Sequence, residues 1–510
     1  MNKTQIKAAL PRELLASVVV FLVALPLCMG IAIASGMPPA KGLITGIIGG
    51  IVVGWLAGSP LQVSGPAAGL AVLVFELVRQ HGVAMLGPIL LLAGLLQLLA
   101  GRLRLGCWFR VTAPAVVYGM LAGIGVLIVL SQVHVMFDSA PQPSGLANLL
   151  GFPATVSQAL PLESQGNGWK AAALGFGTIA VMWSWERLRP QSLRFVPGAL
   201  LGVALMTALS LWLALPVNRV QVPADLSQAI DWLRPADLLN LADPNLLVAA
   251  FALAFIASAE TLLSAAAVDR MHNGQRSDFD RELSAQGVGN MLCGVLGALP
   301  MTGVIVRSSA NVQAGARTRL SAILHGLWLL AFVVVLSSVL QQIPVASLAG
   351  VLVYTGIKLV DFKAFRGLGR YGRMPMFTYA ATALAIIFTD LLTGVLLGFA
   401  LTLLKLALKA ARLKISVVSR EAPGHLELRL SGAATFLKVP ALAQVLEGIP
   451  AGTTLHVPLA NLSYIDHSCL ELLEDWGRAN VGKGSRLLIE QRRLKRRVEG
   501  RVRTTAGLGA

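Results

Sequence analysis

The segment GALPMTGVIVRSS, residues 297–309, joins a turn rich in glycine and proline to a short apolar stretch that contains Arg307. A comparable turn, SPLQVSGPAAG, occupies residues 59–69 and also precedes a short apolar stretch. These stretches, 301–313 and 64–78, are shorter than the roughly 20 residues that a helix needs to cross a bilayer. We therefore predict two half-helices that begin inside a membrane.

The composition supports a membrane protein. Of the 510 residues, 55% are hydrophobic and 13% are charged, and the mean hydropathy is +0.71. Soluble domains carry about 25% charged residues, roughly twice this share. Apolar runs such as residues 14–36 recur along the chain and are long enough to span a bilayer. These features predict an all-α polytopic membrane protein and exclude a large soluble enzyme.

Charged residues, prolines and glycines divide the first 411 residues into fourteen apolar segments. The half-helices are the third and the tenth, so each holds the same place in a set of seven. Because seven is odd, the second set enters the membrane from the opposite side, which predicts a 7+7 inverted repeat. Half-helices at matching places are typical of the substrate sites of secondary transporters. The predicted segments are 14–35, 42–58, 64–78, 85–101, 111–133, 171–185, 196–216, 245–268, 284–299, 301–313, 320–340, 346–360, 375–390 and 392–411.

The distribution of basic residues supports this arrangement. If the N-terminus is cytoplasmic, the predicted outside loops 134–169 and 341–345 contain no Lys or Arg, and 217–244 contains only Arg219 and Arg234. Both termini are therefore predicted to lie in the cytoplasm, with the protein in the inner (cytoplasmic) membrane. The predicted inside loops, each with at least two Lys or Arg residues, are 102–110, 186–195, 269–283, 314–319 and 361–374.

The character of the chain changes after residue 411. Segments 425–436, 453–466 and 485–490 have the pattern of strands, and helical segments lie between them. Alternating strands and helices predict a small cytoplasmic α/β domain. The predicted domains are a transmembrane domain at 1–411, the α/β domain at 412–490 and a basic tail at 491–510.

The charge and the cysteines limit the possible partners. Much of the net charge of +17 lies in the inside loops and in the tail, so we expect a solvated tail near anionic lipid and no nucleic-acid partner. The four cysteines are scattered without a CxxC pair, and the sequence shows no metal-ligand spacing, Walker loop or Ser–His–Asp arrangement. We therefore expect neither an enzyme nor a bound metal or cofactor.

The two turns suggest an anion site. A helix N-terminus binds anions through its free backbone N–H groups and the positive end of its dipole. Two such ends that face each other would form one site, and the small residues Gly65, Ala67 and Gly303 would permit a close approach of the ligand. The alternative is that these glycines and prolines serve helix packing.

Two charged residues lie in apolar surroundings, Arg307 and Glu260, the latter in AETLLS (259–264). A charge within a membrane span is costly and usually faces a polar cavity. Arg307 either adds positive potential to the anion site or extends to the lipid headgroups at the inner surface. Glu260 is either structural, as part of an ion pair or as a hydrogen-bonded core carboxylate, or it takes up a proton or balances a cation as the anion binds.

The chain resembles the SulP anion transporters. The resemblance rests on ALPLCMGIAIASGMPPAKGLITGIIGG (24–50), on GSPLQVSGPAAG (58–69) and on the block RELSAQGVGN (281–290) with the P-x-TG and Arg that follow it. ETLLSAAAVDRM (260–271) is similar to the family's eighth span. The C-terminal segment resembles an abbreviated STAS domain, with LSYIDHSCLELLE (462–474) at its strand–helix turn.

This resemblance implies a homodimer in which a core domain moves against a gate domain. The anion would lie between half-helices 3 and 10. Glu260 and Ser264 correspond to positions that help to hold sodium in cyanobacterial bicarbonate transporters, and Arg307 corresponds to the anion-site arginine of the animal exchangers. The implied substrate-binding residues are Ser64, Gly65, Pro66, Ala67, Gly303, Val304, Ile305, Val306, Arg307 and Ser308.

The sequence departs from the family at several positions. Ala67 replaces the Thr of many bacterial members, and Asp466 is followed by His467 instead of a phosphorylatable Ser. An acid at 260 together with Arg307 is closer to the proton-coupled members, because the Arg would repel sodium. We expect a secondary transporter for sulfate or bicarbonate, coupled to protons. The alternatives are transport of a dicarboxylate or a nucleobase, sodium coupling, or a membrane-bound signalling scaffold that acts through the STAS-like domain.

Overall fold

The structure, a computed structural model, describes residues 3–489 apart from 107–113, 143, 160–167, 191–192, 194–195, 224, 238–242, 411–412 and 421–422. The chain divides into two compact units, Met1–Phe399 and Ala400–Ala510. The predicted tail at 491–510 lies outside the described residues, as do residues 411–412 and 490, where the predicted domains meet. Those domain limits therefore stay predictions.

The part of the chain before residue 411 consists mainly of helices. Helix α2 continues through a π-helical turn, Gly49–Val53, and a further α-helical turn, Gly54–Leu56. The helices are α1 Lys3–Ala34, α2 Pro39–Ile48, α3 Ala68–His81, α4 Val83–Arg102, α5 Pro114–Met136, α6 Gly145–Ala159, α7 Gly168–Leu188, α8 Gly198–Trp212, α9 Pro244–Asp269, α10 Phe279–Val295, α11 Ile305–Gln313, α12 Leu320–Val335, α13 Ser337–Leu340, α14 Val345–Leu359, α15 Phe362–Leu368, α16 Arg373–Phe388 and α17 Leu391–Ala410.

A helix lies in each of the fourteen predicted segments. Within the described residues, six helical stretches are long and apolar enough to cross a membrane, judged by length and composition. Four further apolar helices are shorter. The number of segments that cross the bilayer therefore stays a prediction. The six long stretches are Leu10–Ala34, Pro39–Leu56, Val83–Arg102, Pro114–Met136, Pro244–Asp269 and Val345–Tyr371.

Among the described residues, two helices outside the fourteen segments were not predicted, α6 and the short α15, which lies in the predicted inside loop 361–374. Helix α6 lies within the segment 134–169, which the sequence analysis assigned to an outside loop. It has 15 residues and contains Pro153, so it is too short to span a bilayer and the search for long apolar runs passed over it.

Local sequence signals determine where several helices begin. Helix α9 starts with Pro244, and the side chain of Asp243 accepts a hydrogen bond from the backbone N–H of Asn245. Helix α10 follows Asp278, whose carboxylate accepts a hydrogen bond from the backbone N–H of Arg281. An acidic cap satisfies free N–H groups and complements the positive end of the helix dipole. The starts of these two helices are therefore set by residues next to them in the sequence.

Helices α4 and α10 approach each other closely along a line of glycines. A Cβ atom added to Gly94 would lie 2.6 Å from the carbonyl oxygen of Gly287, and one added to Gly294 would lie 2.7 Å from that of Gly87. Between membrane helices the hydrophobic effect contributes little, so small residues that permit close backbone contact become the main packing device. These four glycines define where α4 and α10 meet.

The C-terminal unit contains a five-stranded sheet and two helices. Strands β1 Ser64–Pro66 and β2 Met301–Gly303 lie earlier in the chain. The strands of this sheet are β3 Leu413–Ser419, β4 His425–Ala434, β5 Thr454–Val457, β6 Leu462–Ile465 and β7 Arg486–Ile489. Strand β4 pairs antiparallel with β3 and parallel with β5 and β6, and β7 pairs parallel with β5. Leucines of the sheet pack with Leu442, Leu446, Cys469 and Leu473 of the helices. The two helices are α18 Val439–Glu447, between β4 and β5, and α19 His467–Asn480, between β6 and β7.

The predicted α/β character of this unit is confirmed, but the prediction of one strand at 453–466 is wrong. The segment forms two strands, β5 and β6, separated by residues 458–461. Pro458 follows the last residue of β5, and proline cannot donate a backbone hydrogen bond to continue a strand ladder.

The substitution Gly287→Ala tests the packing of α4 against α10. Its Cβ would lie 2.5 Å from the backbone nitrogen of Leu98, so we expect the free energy of unfolding to fall by about 1–3 kcal/mol. The matched control is Gly367→Ala in α15, where an added Cβ meets no atom within 4 Å. The control should be neutral or stabilising by up to about 1 kcal/mol. Thermal unfolding of both variants in detergent measures the difference, and equal melting temperatures would contradict the packing.

Candidate functional site

Two segments far apart in the sequence form a two-stranded antiparallel sheet. Strand β1 is Ser64–Pro66 and strand β2 is Met301–Gly303. Ser64 lies opposite Gly303, and Gly65 lies opposite Thr302. Just beyond the strands, the backbone N–H of Val304 donates a 2.9 Å hydrogen bond to the carbonyl of Val63. This pairing brings together the starts of helices α3 and α11, the two predicted half-helices.

Neither half-helix has a side-chain cap. The N-cap residues are Ala67 for α3 and Val304 for α11, and neither makes a side-chain cap hydrogen bond. The first N–H groups of an α-helix have no acceptor within the helix. The first turns, which begin at Ala68 and Ile305, therefore present backbone donors and positive dipole ends.

A cavity of about 580 Å³ lies beside both helix starts. Two members of its lining, Glu260 and Ser264, lie one turn apart on α9 and so share a helix face. Much of the remaining wall is apolar, and Tyr118, Asp269 and Arg270 also line the cavity. The helix starts contribute Ala68, Gly69, Val304, Ile305 and Val306. The cavity thus combines backbone donors from two helices with two acidic residues of α9, of which Glu260 lies next to the start of α3.

Glu260 is half-buried and lies against the first turn of α3. A Cβ atom added to Gly69 would lie 2.8 Å from Glu260 Oε1 and 2.9 Å from Oε2. Glu260 Oε2 is buried without a hydrogen-bond partner. Within the described part of the chain, no salt bridge includes this residue, so the structure gives no support to a structural ion pair. The carboxylate instead shares the cavity with the helix starts.

Arg307 is fully buried and does not line the cavity. Its Nη2 donates a 3.4 Å hydrogen bond to the carbonyl of Pro66, whereas Nε and Nη1 have no hydrogen-bond partner. A Cβ atom at Gly65 would collide with Nη1. The side chain therefore packs against β1 and does not extend to lipid headgroups. No salt bridge joins Arg307 to Glu260 within the described residues.

The predicted site residues fall into two groups. Glu260, Ser264, Val304, Ile305 and Val306 line the cavity. The others lie in the paired strands or beside them, and these are Ser64, Gly65, Pro66, Ala67, Gly303, Arg307 and Ser308. The assignment of Glu260 and Ser264 to ion coupling, and of the other residues to substrate binding, stays a prediction.

Sequence reasoning missed several residues of the cavity wall, among them Ala68 and Gly69 at the start of α3 and Tyr118, Asp269 and Arg270 elsewhere. It placed the start of the half-helix at Ser64, whereas Ser64–Pro66 is extended and the helix begins at Ala68. Pro66 was the available signal, because the residue before a proline favours extended backbone and a helix then starts after it. Among the described residues, no group of three or more His, Cys, Asp or Glu side chains is placed to hold a metal ion.

Comparison with known proteins agrees with this architecture. The pattern of the sulfate permease family matches residues 10–382. The chain is 28% identical over 407 residues to YvdB of Bacillus subtilis (strain 168), a protein named for sulfate transport, which covers 76% of this chain and 72% of YvdB. It is 26% identical over 379 residues to the bicarbonate transporter BicA of Synechocystis sp., which covers 70% of this chain and 63% of BicA.

Two solved structures share the fold. The transmembrane domain of a cyanobacterium bicarbonate transporter BicA matches with a TM-score of 0.65 and 25% identity, over 76% of this chain and 97% of that domain. The structure of SLC26A9 matches with a TM-score of 0.76, over 95% of this chain and 84% of that one, and at 16% identity it shows the fold alone.

The fold and the paired half-helices define a multi-pass membrane transporter of the anion-transport class. The chain belongs to the sulfate permease family. The predicted family and the predicted fold class, a helical transporter with a small C-terminal sheet unit, are confirmed. Members of this family are transporters and not enzymes.

The substitution Ser308→Ala tests how α11 holds the segment next to strand β1. The Ser308 hydroxyl accepts a 2.9 Å hydrogen bond from the backbone N–H of Val63 and donates one to the carbonyl of Val304. Its loss leaves a buried N–H unpaired, so we expect a loss of about 1–3 kcal/mol in the free energy of unfolding. The neighbouring Ser309 donates only to the carbonyl of Val306 in its own helix. Ser309→Ala should stay within about 0.5 kcal/mol of the wild type in the same detergent melt. Equal losses for the two serines would contradict this assignment.

Proposed function

We propose that the protein is a proton-coupled secondary transporter of sulfate or bicarbonate, with the anion bound between the starts of α3 and α11. The observation that carries this proposal is the cavity in which the uncapped first turns of both half-helices lie beside Glu260. The proposal includes cytoplasmic termini, an inner-membrane location and a homodimer, as the basic loops and the family resemblance indicate.

The chemistry of the wall favours an anion. The first-turn N–H groups at Ala68 and Ile305 are donors without side-chain acceptors, and both helix dipoles add positive potential. Arg307 adds a full positive charge behind β1, and no carboxylate is paired with it in the described residues. In a site of low dielectric constant, such charges act over a longer range than in water. Arg307 thus acts on the anion through space, without lining the cavity.

The position of Glu260 favours coupling to a proton. An ionised carboxylate next to Gly69 would itself interact with the start of α3 and would repel an entering anion. At a separation of about 6 Å and an effective dielectric constant of about 20, that repulsion is about 3 kcal/mol, on the order of a hundredfold in affinity. A protonated Glu260 carries no such charge. Anion and proton would therefore bind together and cross together.

Sodium coupling is the second candidate, and one observation favours it. Ser264 and Glu260 line the same cavity and together offer oxygen ligands to a small cation. The buried charge of Arg307 opposes this candidate. Transport of a C4-dicarboxylate on the same fold, and a signalling role for the C-terminal unit, are the remaining alternatives.

Uptake by the purified protein in proteoliposomes separates these candidates. Labelled sulfate, bicarbonate, chloride and fumarate are each offered with a pH gradient, with a sodium gradient and with neither. We expect accumulation of sulfate or bicarbonate driven by the pH gradient alone. Accumulation driven only by sodium would replace the coupling ion, and fumarate uptake alone would replace the substrate. No uptake of any anion by intact protein would refute the transport function.

The substitution Glu260→Gln tests the coupling group. A neutral amide cannot carry a proton, so accumulation driven by the pH gradient should be lost, whereas exchange of anion for anion without a gradient should continue. The control is Glu76→Gln, because Glu76 lies near the other end of α3 in a separate small cavity. It should accumulate anion within about twofold of the wild type. Persistent proton-driven accumulation by Glu260→Gln would place the coupling group elsewhere.

The substitution Arg307→Ala tests the buried charge. Removal of one positive charge near the anion should raise its dissociation constant by about tenfold or more. Arg307→Lys keeps the charge and should retain much of the affinity. Titration of the purified variants with sulfate and bicarbonate measures both constants. An unchanged affinity in Arg307→Ala would mean that the backbone donors alone hold the anion.

A further inference from the structure

We propose that Thr261 is a positioning residue that holds Glu260 in a set place relative to both half-helices and so couples the proton to the anion. This inference deepens the transport function proposed above and rests on it. Thr261 belongs to α9, is fully buried on the side of the helix that faces β2, and does not line the cavity.

Thr261 makes two hydrogen bonds to residues outside its own helix. Its hydroxyl accepts a 3.1 Å hydrogen bond from the backbone N–H of Gly303 in β2. Its carbonyl accepts a 3.1 Å hydrogen bond from Nε2 of Gln62, which precedes β1 by two positions. One residue of α9 is therefore hydrogen-bonded to the last residue of β2 and to the segment that leads into β1.

Thr261 shares this use of its hydroxyl with the buried Thr45, which accepts a hydrogen bond from the backbone N–H of Leu299, but differs from buried threonines that bond only within their own helix. A threonine within a helix commonly donates its hydroxyl to the carbonyl four residues earlier. Thr178 does so to Leu174 at 2.8 Å, and Thr382 does so to Thr378 at 2.7 Å. The Thr261 hydroxyl instead accepts from a strand that lies 42 residues further along the chain. Its hydrogen bond joins two elements and does not merely satisfy the hydroxyl.

The neighbouring residue makes the third connection. Glu260 lies against Gly69 in the first turn of α3, while Thr261 holds β2 and the segment that leads into β1. Consecutive residues of one helix therefore set the distance from the carboxylate to the two helix starts. The same hydrogen bond occupies the N–H of Gly303, which leaves the first-turn donors of α3 and α11 to the anion.

The other ionisable groups around Glu260 have separate positions. Along α9, Asp269 and Arg270 are nine and ten residues away, about 14–15 Å at 1.5 Å per residue. On α10, the buried Glu282 accepts hydrogen bonds from the backbone N–H of Ser59 and from Gln286. Tyr118 on α5 lines the cavity, Arg307 on α11 lies behind β1, and Glu76 and Arg79 lie near the far end of α3. Thr261, next to the carboxylate, hydrogen-bonds α9 to β2 and to the segment that leads into β1.

The experiment compares three variants in proteoliposomes, with labelled sulfate and bicarbonate as probes. Thr261→Val removes the hydroxyl and keeps the shape, Thr261→Ser keeps the hydroxyl, and Thr178→Val removes a buried hydroxyl that bonds only within its own helix. Each variant is measured for proton-driven accumulation, for exchange without a gradient, for the pH dependence of uptake and for thermal unfolding.

We expect Thr261→Val to lose about fivefold or more of its proton-driven accumulation and to shift the pH midpoint of uptake by about 0.5 unit or more, the size of one ordinary hydrogen bond. Exchange should stay within about twofold of the wild type, Thr261→Ser should restore both readouts, and Thr178→Val should match the wild type. A Thr261→Val protein with the wild-type accumulation and pH midpoint would overturn the inference.

A second variant keeps the inference testable if Thr261→Val does not fold. Gln62→Met keeps the length of the side chain and removes the donor to the Thr261 carbonyl, so it should shift the pH midpoint in the same way. A wild-type midpoint in Gln62→Met would then overturn the inference. Failure of the wild type itself to transport either anion would refute the proposed function, which separates that outcome from a failure of Thr261 alone.

Discussion

The pairing of β1 with β2 places extended backbone within a helical membrane protein, and the surrounding structure serves to satisfy it. An unpaired backbone polar group in a membrane costs several kcal/mol. Asn290 pairs with both the N–H and the carbonyl of Met301, and Thr45 does the same for Leu299. Polar side chains in apolar helices are thus explained by the interrupted backbone that they face.

This satisfaction of the backbone is selective, and function follows from what it leaves out. Side-chain oxygens accept hydrogen bonds from the backbone N–H groups of four residues in or beside the strands, Leu299, Met301, Gly303 and Val63. The first turns of α3 and α11 receive no side-chain cap, whereas α9 and α10 begin at acidic caps. Free donors therefore remain next to the cavity, and they are the groups that an anion would bind.

Much of the fold was predictable because its signals are local. Apolar length, breaking residues and loop charge located all fourteen helical segments. The glycine- and proline-rich segments around Gly65 and Gly303 marked the two half-helices. Helix α6 was not predicted, because it is too short to appear as a membrane span and contains Pro153. The division of 453–466 into two strands was missed, although Pro458 carried the signal for it.

The sequence by itself determined the class of protein, the family and the two interrupted helices, because hydropathy, spacing and motif are properties of the linear chain. Only the tertiary structure decided that Glu260 lies against Gly69, that Arg307 packs against β1 without forming a salt bridge to Glu260, and that Thr261 bonds to Gly303 and Gln62. These contacts depend on the strand register and on the rotation of α9, which arise from packing between segments far apart in the chain. A linear pattern does not specify that register, so the charged residues could be recognised from the sequence but their partners could not.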